Sequence, residues 1–173
     1  MMEPMTTRVE VWPVAADELG IWLISGDDAW RPDLPVMADN EPHFDVELEL
    51  ASHHAKDSTT LLHSTSWRVD GSAVVLTYMA VIEAEGLVRD AWPAARPVSL
   101  KLAQHVGTPH PHAAIEPPTP RYIDVLLHGL RHLRFLLDTD ASAAAVLAEP
   151  WPEHLKGLEP ALAGMYGEVV ETA

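Results

Sequence analysis

The pair Asp70-Gly71, set between two alternating runs of residues, restricts the fold more than any other feature of the chain. Leu61 to Val69 precede it and Ala73 to Ile82 follow it. An Asp-Gly pair supplies the positive φ angles of a two-residue turn, so the two runs are predicted to form an antiparallel hairpin. The turn then sets a register, with Val69 opposite Ser72, Trp67 opposite Val74, Thr65 opposite Leu76 and His63 opposite Tyr78. One side of this hairpin gathers His63, Thr65 and Trp67 with Leu76 and Tyr78. The other gathers Ser64, Ser66 and Arg68 with Thr77 and Met79.

Further elements are expected on both sides of the hairpin. Arg8 to Pro13 suits a short strand, and Ala15 to Ser25 places Leu19, Trp22 and Leu23 on one helical face, with a strand over Ile21 to Ile24 as the competing reading. Residues 26–41, rich in Asp and Pro, are expected to be irregular. From Phe44 to Leu50 apolar residues alternate with acids, which predicts a half-buried strand. Val98 to Leu102 alternates again. Five prolines between Gly107 and Pro120 then mark a loop. Beyond it, Ile123, Leu126, Leu127, Leu130, Leu133 and Leu137 form a buried helical stripe over Tyr122 to Leu137. Asp140 is placed to cap an alanine-rich helix that Pro150 ends, and a last helix from Pro160 would bury Leu162, Met165, Tyr166 and Val169. Strands followed by helices predict an α+β fold: an antiparallel sheet with the Asp-Gly hairpin at its centre and C-terminal helices on one face. One domain over 1–173 is expected, strand-rich over 1–106, a proline-rich loop over 107–120 and helical over 121–173.

Composition narrows the function. The formal net charge is −15, and the cations show no basic stripe, which opposes binding to nucleic acid or to an anionic membrane. Without a single cysteine, thiolate catalysis, disulfides and cysteine-ligated metal are excluded. Met1-Met2-Glu3-Pro4 lacks the features of a signal peptide and no run reaches membrane-spanning length, so a cytoplasmic location is expected. The abundance of Ala and Pro, with Arg exceeding Lys, suggests a bacterial source.

Ten histidines carry most of the chemical possibilities. Asp124, His128 and His132 stand at i, i+4 and i+8, and each step of four turns only about 40° on a helix. One carboxylate and two imidazoles on one face suit a divalent transition metal (zinc, iron or manganese), although any amphipathic helix also has a polar face. His63 is a candidate catalytic base, or a core histidine hydrogen-bonded to Tyr78. The adjacent His53 and His54, and the pair His110 and His112, suit exposed loops or supplementary ligands. Ser64, Ser66, Arg68 and Thr77 form a candidate binding site for a carboxylate or phosphate ester, because a guanidinium beside hydroxyls matches an anion.

The order Leu61-Leu62-His63-Ser64-Thr65-Ser66-Trp67-Arg68, a turn, and Val74-Val75-Leu76-Thr77-Tyr78 resembles the strands that follow the helix in Nudix hydrolases. The resemblance covers about forty residues, and the Arg-Glu…Glu-Glu-x-Gly magnesium box of that family is missing. Glu47 and Glu49, on a period-two pattern, do not supply it, so no catalytic residue carries over. Two functions are therefore expected from the residues. One is a metal-dependent hydrolase or oxygenase using Asp124, His128 and His132. The other is a non-catalytic module for a small anion or a partner protein, a reading that admits a homo-oligomer.

Overall fold

The computed structural model describes residues 4–99 and 122–162, with only the backbone of Tyr122 and Ile123. Its strands are β1 (Thr6–Asp17), β2 (Gly20–Leu23), β3 (Thr59–Asp70), β4 (Ala73–Ile82) and β5 (Arg96–Pro97). Its α-helices are α1 (Pro42–Ser52), α2 (Val88–Ala91), α3 (Tyr122–Thr139), α4 (Ala141–Val146) and α5 (Trp151–Leu155). The strands form one sheet in the order β3-β4-β1-β2-β5. All neighbours run antiparallel except β1 and β4, which run parallel. This is the α+β class, mostly antiparallel.

Three differences from the sequence-based expectation matter. The hairpin lies at one margin of the sheet with β3 as the edge strand, not at the centre. Helices cover both faces, not one. Leucines 126, 127, 130 and 133 of α3 pack with α4 and α5 over Trp12, Val14, Met79 and Val81. On the reverse face, Val46 and Leu50 of α1 and Val88 of α2 pack over Val9, Val11, Ala80 and Ile82.

The third difference is α1 itself, expected as a strand. A period-two pattern contains every i, i+4 pair, so Val46 and Leu50 fall on one helical face just as they would on one strand face. Helix-favouring Glu and Leu, one β-branched residue, Pro42 in the first turn and Asp45 near the positive end of the dipole decide the outcome. Phe44 and Leu48 consequently point outward, each about half exposed.

The segment expected as a helix over Ala15 to Ser25 is instead the end of β1, a two-residue turn and β2, the competing reading. Ala15 pairs with Trp22 and Val14 with Leu23. Of the strand expected over 98–102, Val98 and Ser99 are not in a strand; the short β5 precedes them at Arg96–Pro97, and the Val98 amide bonds to the Ile21 carbonyl at 2.8 Å. The expected strand from residue 100 onward, the proline-rich loop and most of the predicted last helix, with Met165, Tyr166 and Val169, lie outside the described residues. Pro160 to Leu162 are not helical. Asp140 caps α4 as expected, its carboxylate accepting from the amides of Ser142 and Ala143 at 2.8 and 2.9 Å. The helix stops at Val146, ahead of Pro150, which begins α5.

Two positions show how closely the layers approach. Gly71 has φ +58°, a backbone state that costs other residues energy, and so lets the hairpin turn. Gly129 lies where α3 crosses β4, and a Cβ there would collide with the Met79 side chain.

Candidate functional site

The turn and a bulge in β3 determine which side chains meet. Asp70 pairs with Ala73, so Gly71 and Ser72 form the turn and Val69 lies opposite Val74. This displacement by two leaves the predicted faces intact. At Thr65 the register slips back by one residue, so that Ser66 pairs with Thr77 but Ser64 with Tyr78 and His63 with Met79. A one-residue slip reverses the side on which every preceding residue points. His63 therefore lies with Met79 under α3 and not beside Tyr78. Ser64 leaves the group formed by Ser66, Arg68 and Thr77.

Those three residues meet a partner that the sequence reading missed. Glu10 on β1, opposite Thr77, is fully buried and receives the whole polar cluster. Arg68 donates to both its oxygens at 2.5 and 2.9 Å, Arg31 donates from Nη2 and Nε at 3.0 and 3.2 Å, and the Thr77 hydroxyl donates at 2.8 Å. The Trp12 indole N–H adds a contact at 3.3 Å. Burial alone would raise the Glu10 pKa. Hydrogen bonds from Arg68 and Thr77 and the charges of Arg68 and Arg31 outweigh it and hold the carboxyl below its ordinary range. The Arg68 guanidinium, expected to receive an external anion, is thus engaged by an internal carboxylate. Glu10 gave little sequence signal, since Arg8, Glu10 and Trp12 alternate as a solvent-facing side would.

The bulge brings three histidines to the seam between β3 and α3. His132 is buried, and His63 Nδ1 lies 3.1 Å from its Nε2. Carbonyls only accept, so His132 Nδ1–H donates to Ala161 O at 3.3 Å, and the Nε2 lone pair faces His63. The His63 Nδ1–H is shared between that lone pair and Ser64 O at 2.9 Å. His128, one turn earlier on α3, bonds to the backbone of bulged Thr65. Burial lowers the pKa of both helical imidazoles. Arg131 adds to the effect on His128, and His63 and His128 add to it on His132. Asp124 lies half-buried one further turn away. Among the described residues, no three His, Asp or Glu side chains form a group able to hold a metal ion. His53 and His54 end α1 and do not follow a strand. The His53 ring stacks on Trp30 with centroids 4.1 Å apart. His110 and His112 lie outside the described residues.

A cleft of about 460 Å³ opens where the parallel strands β1 and β4 both end. Val81, Ile82, Val146 and Trp151 provide its apolar wall, and Glu18, Glu83 and Glu149 contribute carboxylates. Asp17, also in the lining, is buried. Its carboxylate accepts from the amides of Leu19 and Val88 and from the Trp22 indole, at 2.8–2.9 Å. Burial opposes its charge, yet these donors leave its pKa lowered. The backbone carbonyl of Asp17 accepts from His154 of α5 at 2.7 Å, which fixes the opposite rim.

Comparisons with known protein families, with curated proteins and with solved structures find no match. The resemblance to Nudix hydrolases therefore gains no support, although Glu47 and Glu49 do lie on a helix, contrary to the strand expected for them. No helix among the described residues is long and apolar enough to cross a membrane.

Proposed function

We propose that this chain is a non-catalytic binding module that holds a small organic cation in the cleft at the ends of β1 and β4. The carrying observation is that cleft: its volume falls in the range of small-molecule sites, and among the described residues its lining has carboxylates but no Lys or Arg. In open sheets, ligands favour the crevice beyond the carboxyl ends of parallel strands, and β1 and β4 are the parallel pair here. The sign of the ligand differs from the anion first expected, because Glu10 already occupies Arg68. A metal-dependent hydrolase or oxygenase asks for three ligands around one point, and no such set supports it among the described residues.

Thermal unfolding in the presence of spermidine tests the reading. A ligand at a hundred times its Kd stabilises by about 2.7 kcal/mol, or roughly 5–11 °C for a chain of this size. The rise should disappear in Glu83→Gln/Glu149→Gln and persist in Asp33→Asn/Asp39→Asn, which removes the same charge elsewhere. No rise, or an equal rise in both variants, would overturn the proposal.

A further inference from the structure

We propose that His63 and His132 form a two-imidazole site for a late first-row divalent transition ion, copper(II) foremost, independent of the cleft. The argument begins with the 3.1 Å separating His63 Nδ1 from His132 Nε2. Two nitrogens at that spacing, each about 2.05 Å from one ion, subtend about 98° at the metal. That angle lies nearer the 90° of tetragonal copper(II) or nickel(II) than the tetrahedral value of zinc.

The surroundings favour the same outcome. The bond from His132 Nδ1 to the Ala161 carbonyl holds the ring in the tautomer that presents Nε2 as a lone pair, the orienting contact that a ligating imidazole requires. His63 is half-buried on the edge strand and can rotate to aim its own lone pair at the ion. Its proton moves from Nδ1 to Nε2, giving up the bond to Ser64 O, so the neutral pair binds without net release of a proton. Two nitrogen donors with no thiolate or carboxylate suit copper or nickel and not calcium or magnesium. Water completes the coordination.

Copper(II) titration of tag-free protein, followed by calorimetry and electron paramagnetic resonance, tests the site. One site with a two-nitrogen signature should be present in the natural protein and in His110→Gln/His112→Gln. Loss of either ligand should weaken it at least as much as loss of an orienting partner does, about 10–100-fold. His132→Gln alters a buried position, so His63→Gln, at a half-exposed one, gives the second reading, with circular dichroism confirming the fold. Absence of a two-nitrogen site in the natural protein, or unchanged affinity in folded His63→Gln, would overturn the assignment.

Discussion

Replacing Arg68 by Met should unfold this protein more easily at neutral pH than at acid pH, for a reason local to Glu10. The wild-type carboxylate is fully buried, and Arg68 supplies two of its shortest hydrogen bonds. Removing one partner of a buried ion pair costs about 3–5 kcal/mol, because the remaining charge is stranded. Arg31 still bonds Glu10 but is two-fifths exposed, so water screens its compensation. A loss of about 3 kcal/mol at pH 7 is therefore expected, or roughly 6–12 °C in Tm. The pH dependence has a definite sign. The folded-state pKa of Glu10 is lowered, so its contribution is complete above the unfolded value of 4.5 and disappears as pH falls through the folded value. In Arg68→Met the carboxyl loses its main counter-charge and protonates more readily, which relieves the stranded charge. Urea denaturation at pH 7 and pH 4.5 measures both quantities. A difference under about 1 kcal/mol at pH 7, or one that is the same at both pH values, would refute the reasoning.

Other contacts give simpler expectations. Gly129→Ala should cost about 1–3 kcal/mol in chemical denaturation, and Met79→Val should recover part of it, because the added Cβ meets that side chain. Asp140→Ala should cost about 1 kcal/mol by removing the α4 cap, whereas Asp140→Asn should be nearly neutral. Asp17→Ala leaves the buried Val88 amide and Trp22 indole without their acceptor and should cost about 2 kcal/mol or more, with faster amide exchange at Val88.

How much of this was legible in the sequence depends on whether a pattern is local. The leucine stripe of α3 and the Asp140 cap depend on neighbours within a turn or two, and both were found. The hairpin was evident from Asp70-Gly71, but its turn lay one residue later than predicted. The bulge at Thr65 left no trace, since an extra residue looks like any other until its partner strand is known. Helix α1 departs for another reason: Phe44 to Leu50 satisfies strand and helix spacing alike, and composition, not periodicity, distinguishes them. The Glu10 cluster unites residues from β1, β3, β4 and the segment after β2, and its alternation resembled a wet surface. Asp124, His128 and His132 do share α3, but the helix said nothing of His63, which reaches His132 because of what happens in another strand.

That extra residue also makes β3 two strands in one. Deleting Thr65 would leave the outer half, with Ser66 and Arg68, in place over Glu10. The inner half would keep its face as well, because Ser64 would then adjoin Ser66 directly and stay opposite Tyr78, with Leu61 and His63 still beneath the helix. What seats the imidazole is the looping-out of Thr65: paired without a bulge, the same residues would set Ser64, not His63, opposite Met79.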